Sequence, residues 1–225
     1  EIEELRKKTS ILAKEISNIR HNRKEEFIKA IESEMNDLGM SSTKFDVEIM
    51  SDEDEEGILI VDGVNIKANA YGIDNIEFII APNKQSIFQP LRKIASGGEI
   101  SRIMLSLKNV LSLGDYCETM VFDEIDVGVG GRIAEVIGEK IAALSKRKQI
   151  LSVTHLAQIA IYANTHFKVI KNEGEDNVTS TIEELNENTR VGEIARMITG
   201  KEITEASIKH AAELLEGARK SNIFI

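Results

Sequence analysis

Three short motifs, separated by two gaps of similar length, constrain this chain more than any other feature of its sequence. They are IASGGEISR at Ile94 to Arg102, TMVFDEID at Thr119 to Asp126, and SVTH at Ser152 to His155. The gaps from Ser96 to Asp123 and from Asp123 to His155 are each roughly 30 residues, room for one helix and one strand. That spacing predicts a layered α/β arrangement in which each motif emerges at an equivalent edge of one sheet. The apolar positions agree. Ile100, Ile103, Met104, Leu107, Val110 and Leu111 mark an amphipathic helix. Met120-Val121-Phe122 is a short apolar strand that ends in carboxylates, and Gly131 to Leu144 is a second helix with Ile133, Val136, Ile137, Ile141 and Leu144 inward. QILSVTH reads as a second buried strand and FKVIK as a third, and helices near Thr189 to Ile198 and Thr204 to Arg219 close the chain.

Each motif has a plain reading beside a chemical one. Ser96-Gly97-Gly98 precedes a helix, so backbone N–H groups and the positive helix end can meet an anion there. A glycine turn with Ser96 as N-cap accounts for the same residues. Asp123-Glu124 at the end of a buried strand matches one acid for Mg²⁺ beside one that orients or deprotonates a water, while many strands simply end in solvated acids. His155 at a strand end can donate to a γ-phosphate or merely cap the following helix. Taken together, in this order and at this spacing, the three read as parts of an ATP-hydrolysing site. No G-x-x-x-x-G-K-[ST] stretch occurs in the 225 residues, so the phosphate cradle of such a site is missing from the chain.

Upstream of Ser96 the texture differs. Ile2, Leu5, Thr9, Leu12, Ile16 and Ile19 step by three and four among charged residues, the narrow stripe of a coiled coil rather than of a helix packed on a domain. The helical pattern continues through Phe27, Ile31, Met35 and Leu38 and stops at Gly39, a residue suited to a C-cap. FDVEIM, GILIVDG, VNIKANA and NIEFIIAPN are then strand candidates of an antiparallel element. The acidic run SDEDEEG, Ser51 to Gly57, is read as a solvated hairpin turn and not as a metal site.

A formal net charge of −10 argues against a broad nucleic-acid-binding surface on this chain. Lys146-Arg147-Lys148 is read as a solvated helix end, and Arg92, Lys93 and Arg102, which flank the first motif, are assigned to no site. The single cysteine, Cys117, excludes an internal disulfide, suits a reducing cytoplasm and is expected to be buried and inert. No stretch approaches the ~18 apolar residues of a membrane span. The chain opens on Glu1 without a methionine, and it is expected to be a fragment.

LRKIASGGEISRIMLSLKNVL, VFDEIDVGVGGR and SVTHLAQIA resemble the C-terminal part of the RecN family, SMC-like ABC ATPases of bacterial DNA repair. GIDNIEFIIAPN, ARMITG, ITEASIKHAAELL and the leading coiled-coil stub fit the same family, so the resemblance covers nearly the whole chain. It implies an α/β fold, the C-terminal lobe of an ABC/SMC-type P-loop NTPase head. An antiparallel strand region and an N-terminal coiled-coil stub would accompany that lobe. Residues 1–39 would be the end of the arm and its connecting helix, and 40–225 the lobe itself. The resemblance further implies that Ser96, Gly97, Gly98 and Glu99 belong to the signature that touches ATP on an opposite protomer. Asp123 would hold Mg²⁺, largely through water, Glu124 would be the catalytic base, and His155 the switch residue at the γ-phosphate. Asp126, with Gly128, Gly130 and Gly131, would form a nucleotide-proximal loop crossing the dimer interface. Implied partners are the N-terminal lobe of the same protein, a second ATP-sandwiched head, and DNA during double-strand break repair and recombination. No membrane is implied, and the setting is the cytoplasm, at the nucleoid. A head lobe of another chromosome-organising SMC or ABC ATPase, or a non-catalytic dimerisation module, are the alternatives. A purely structural lobe has no use for Glu124 beside Asp123, and the chain alone is expected to be inactive.

Overall fold

The computed structural model describes residues 1–94, 96–111, 114, 116–173, 178–200 and 202–220. Ala95 of the first motif and residues 221–225 of the predicted lobe lie outside them. The chain divides into two compact units, Glu1–Ala95 and Ser96–Ile225. The division falls where the sequence changes from antiparallel strands to alternating helix and strand.

In the first unit one helix, α1 (Ile2–Asp37), precedes five strands, β1 (Lys44–Ser51), β2 (Leu59–Val61), β3 (Val64–Ile66), β4 (Asp74–Ala81) and β5 (Gln89–Pro90). A left-handed Gly39 (φ 79°) ends α1 as predicted. The N–H of Gly39 bonds the Asn36 carbonyl, and that of Met40 the Met35 carbonyl, which satisfies two of the last open carbonyls. β1, β4 and β5 form an antiparallel sheet in which Phe45 faces Ile80 and Val47 faces Phe78, and β2 and β3 form a hairpin. Phe27 of α1 meets Phe45 and Phe78, with ring centroids 6.1 and 6.0 Å away. Ile31, Met35 and Leu38 are fully buried, worth roughly 1.5–3 kcal/mol each. Further toward the N-terminus α1 lies on the hairpin through small residues. Ala13 packs in a cluster with Leu59, Val61, Ile66 and Ile73, and Ser10 Oγ accepts from the Ile60 N–H at 3.1 Å.

The predicted stripe is on the other side of that helix: Ile2, Leu5, Leu12, Ile16 and Ile19 are all exposed. Between the two halves, Arg20 and Ser17 each hold one oxygen of the buried Asp74 carboxylate at 2.7 Å. The acidic run is solvated, but it is not a hairpin turn. It links β1 to β2, which lie in different sheets, because the partner of β1 is β4.

The second unit contains α2 (Gly97–Leu111), β6 (Thr119–Phe122), α3 (Gly131–Ser145), β7 (Gln149–Ser152) and α4 (Ala157–Ala160), then β8 (Phe167–Glu173), β9 (Val178–Glu184), α5 (Glu187–Thr199) and α6 (Glu205–Lys220). β6 and β7 are parallel neighbours joined by the α3 crossover, with Thr119 opposite Gln149 and Phe122 opposite Ser152. Ile103, Leu105, Ile125, Ala134 and Ile137 are buried in this unit, and Ala142, Ala157, Ala160, Ile161, Tyr162, Ile194, Ala195, Ala211 and Leu215 form a core cluster that joins α3, α4, α5 and α6.

Three expectations fail here. QILSVTH is not a buried strand: Leu151 is 50% and Val153 61% exposed, because one face of the β6–β7 pair has no covering layer among the described residues. FKVIK does not extend the parallel pair; β8 pairs antiparallel with β9, a partner the sequence pattern did not reveal. Alternation explains the misreading: Phe167 and Val169 are exposed while Lys168 turns to Glu193, so the apolar residues do not make a buried strand. Cys117 is exposed rather than buried, with Sγ donating to the Thr119 carbonyl at 3.1 Å, because it lies ahead of β6 and not in it. Among the described residues no helix is long and apolar enough to cross a membrane.

Candidate nucleotide site

The ladder between β6 and β7 continues one step past both strands, through the Val153 N–H on the Phe122 carbonyl at 2.9 Å. Asp123 and Thr154 therefore leave the sheet together at one edge. This is the carboxyl end of parallel strands, where α/β folds place ligand chemistry.

The turn after β6 is held in an unusual conformation. Glu124 has φ 58°, a left-handed backbone that costs a non-glycine residue free energy. Its N–H donates to Asp123 Oδ1 at 2.9 Å, and its carbonyl accepts from the Val127 N–H at 3.1 Å. Both Asp123 and Glu124 are exposed at this edge. Asp126 is the opposite case, only 4% exposed. Its Oδ2 accepts from Thr154 Oγ1 at 2.6 Å and from the His155 N–H at 2.9 Å, and it lies 2.9 Å from His155 Nδ1. The His155 side chain is itself 72% exposed.

The first motif joins this edge through α2. Ser96 acts as N-cap, its Oγ accepting the Glu99 N–H at 3.4 Å and its carbonyl the Ile100 N–H at 3.0 Å. One turn on, Ser101 Oγ donates to the Asp123 carbonyl at 2.7 Å. Arg102, buried in the same turn, donates through Nη1 to the carbonyls of Val127 at 2.9 Å and Ile125 at 3.4 Å. Burial pushes this guanidinium below its ordinary value although the charge of Glu99 opposes the shift. The two glycines are required by contact. A Cβ on Gly97 would stand 2.0 Å from Glu124 Oε2, and one on Gly98 would be 3.0 Å from the Glu124 carbonyl oxygen and 3.1 Å from Val127 Cβ.

The structure thus brings Gly97, Gly98, Asp123, Glu124, Asp126 and His155 to one edge, with Ser96 and Glu99 on the adjoining helix start. The carboxylate of Asp126 is turned inward to Thr154 and His155. Among the described residues no group of three or more His, Cys, Asp or Glu side chains could hold a metal ion. Asp123 remains an exposed carboxylate of the kind that suits Mg²⁺ carried in with substrate phosphates and water. Ser101, Arg102 and Thr154 were not assigned by sequence. Arg102 carried no signal, because the helical period sets it off the apolar stripe of Ile100, Ile103, Met104 and Leu107. A fourth residue, Arg190 of α5, donates through Nη2 to the carbonyls of Ala160, Ile161 and Ala163 at 2.7–3.1 Å and so caps the end of α4, the helix that follows His155.

No family model matches the chain. It is 43% identical to the DNA repair protein RecN of Treponema pallidum over 203 residues, 89% of this chain and 34% of that protein. It is 35% identical to the DNA repair protein RecN of Bacillus subtilis over 220 residues, 97% of this chain and 38% of that protein. The chain spans little more than a third of the length of the curated relatives it matches. In structure it is similar to an Smc head domain with a coiled coil and joint from Pyrococcus yayanosii, at a TM-score of 0.50 and 16% identity, covering 92% of this chain and 31% of that one. At that identity the likeness concerns the fold, which is that of the C-terminal lobe of an SMC-type head.

Proposed function

We infer that this chain, which belongs to the RecN family of SMC-like ATPases, is the C-terminal lobe of a head that dimerises on ATP and hydrolyses it in DNA double-strand break repair. The observation that carries this reading is the edge of β6 and β7, where the Asp123-Glu124 pair and His155 leave adjacent parallel strands and are tied together through Asp126. Glu124 is the base that takes a proton from the attacking water, a role that fits its exposed carboxylate on a strained turn. Asp123 would hold Mg²⁺ through water, and the ion would supply neutralisation of the phosphate charge. His155 senses the γ-phosphate from the neighbouring strand end. Ser96, Gly97, Gly98 and Glu99 meet the γ-phosphate of a nucleotide held by a second head, at the N-terminus of α2.

The same strands argue that the site is shared. Val121, Leu151 and Val153 are 68%, 50% and 61% exposed. Parallel strands are ordinarily covered on both faces, so these residues suit a missing layer. We assign that layer to the N-terminal lobe of the intact protein, which would bring the phosphate-binding loop. The exposed stripe of α1 is the seam of a coiled-coil arm, with residues 1–39 as its end and 40–225 as the lobe. In the cytoplasm, at the nucleoid, the arm would couple closure of the heads to the holding of DNA ends.

Glu124→Gln in the full-length protein tests the assignment. Hydrolysis should fall by about 100-fold or more, as for loss of a general base, while ATP-driven dimers persist in size-exclusion chromatography. An unchanged rate would show that Glu124 is not the base.

A further inference from the structure

We infer that Arg102 is a positioning residue for Glu124, bracing the strained turn that aims this carboxylate. The inference rests on the reading of Glu124 as the base and adds a residue that acts only through the turn. Glu124 has φ 58°, and a non-glycine residue keeps such a backbone only where its surroundings over-determine it. The bonds within the turn are local: the Glu124 N–H to Asp123 Oδ1 at 2.9 Å, and the Val127 N–H to the Glu124 carbonyl at 3.1 Å. Asp126 ties the turn to the end of β7 through Thr154 and the His155 N–H. The backbone on either side of Glu124 is left to α2. Ser101 Oγ donates to the carbonyl before it, that of Asp123, at 2.7 Å. Arg102 Nη1 donates to two carbonyls beyond it, those of Ile125 at 3.4 Å and Val127 at 2.9 Å. The Glu124 carbonyl itself lies so close to Gly98 that a Cβ there would be 3.0 Å from its oxygen.

The type of residue at 102 carries the argument further. α2 buries a guanidinium whose Nε has no hydrogen-bond partner, and an unpaired polar group in the interior costs free energy. Its buried neighbours Ile103, Leu105 and Leu107 are apolar, and an apolar residue at 102 would fill the space without that cost. What it could not supply is a donor for the carbonyls of Ile125 and Val127. Without those bonds the strained backbone is free to relax, and the Glu124 carboxylate moves with it. A reacting group misplaced by about 1 Å loses much of its effect on rate.

Arg102→Met in the full-length protein removes the donors and keeps an unbranched side chain that fills the space. It should lower kcat for ATP by about tenfold or more at unchanged KM. Ser101→Ala, a milder change at a half-buried position, should lower kcat by about fivefold, as for loss of one neutral hydrogen bond. On a Glu124→Gln background Arg102→Met should remove no further activity, because it acts through that carboxylate. Hydrogen exchange read by mass spectrometry should quicken by about tenfold over Asp123 to Val129 in Arg102→Met, as for loss of a bond from a charged donor. Over α3 it should stay unchanged. An unchanged kcat, a raised KM, or an equal fold loss on the Glu124→Gln background overturns the inference. Exchange that quickens over α3 as well overturns it in favour of a general structural role. An unchanged rate in Glu124→Gln alone sinks the base reading instead, and quickened exchange confined to the turn would then still uphold the brace.

Discussion

Gly97 and Gly98 are neighbours in sequence and differ in what a methyl group would strike. At Gly97 the obstacle is Glu124 Oε2, the far end of a flexible side chain; at Gly98 it is the backbone oxygen of Glu124 and the β-carbon of Val127. Gly97→Ala should therefore displace the carboxylate and leave the fold intact, because the side chain can swing away and alanine suits a helix start better than glycine. Gly98→Ala should cost about 1–3 kcal/mol, since a packed backbone must move. Urea denaturation of the two variants, with ATP hydrolysis by the full-length protein, separates them: Gly97→Ala loses activity without stability, and Gly98→Ala loses both. Equal stability of the two variants would contradict the contact geometry. At this scale the sequence was legible where a residue's type and its place at an element boundary agree, as for Ser96, Asp123, Glu124 and His155. It was silent on Ser101, Arg102 and Thr154, whose partners lie on a turn more than a helix away and follow no local period.

Helix α5 shows how elements outside the proposed chemistry hold its surroundings. One buried face carries Arg190 and Glu193 beside Ile194 and Ala195. Burial alone would raise the Glu193 carboxyl, but hydrogen bonds from Arg196 and Lys168, with their charges, hold it below the usual range. His166, half-buried just before β8, is pushed below its ordinary 6.5 by burial first and then by the charge of Arg190. Lys168 adds to the depression and Glu193 opposes it. Its Nδ1 is buried without a hydrogen-bond partner, which disfavours a second proton there. The folded chain thus binds fewer protons than the unfolded chain just below pH 6.5. Stability from this group is complete above that value and is lost as the pH falls from it toward the folded value. The urea midpoint should drop between about pH 7.5 and about pH 5.5, and His166→Gln should flatten the drop. An equal drop in the variant would place the effect elsewhere. Helices with a strong apolar stripe, α2, α3, α5 and α6, were readable from their period. The β8–β9 hairpin was not, because one face of it stays in solvent and its apolar residues resemble those of a buried strand.

Among the described residues, several groups of apolar side chains are left in solvent, and two of them, the α1 stripe and the face of β6 and β7, lie where the proposed architecture needs partners. The α1 stripe, the face of β6 and β7, and the outer residues Phe167, Val169 and Ile182 of the β8–β9 hairpin are all exposed. The net charge of −10 gives no broad surface for DNA, so the proposed contact with it would fall to local patches or to other parts of the intact protein. Fold class and the order of the motifs were legible because helix and strand periods alternate between the motifs. The proposed sharing of the site has one sign in the sequence, the missing phosphate-binding stretch, and one in the fold, the uncovered face of β6 and β7. The most direct test compares ATP hydrolysis by this chain alone with hydrolysis after it is joined to the N-terminal lobe of the full-length protein. No nucleotide-dependent phosphate release is expected from the chain alone, and clear turnover when the two lobes are together. Robust hydrolysis by the chain alone would contradict a site divided between lobes.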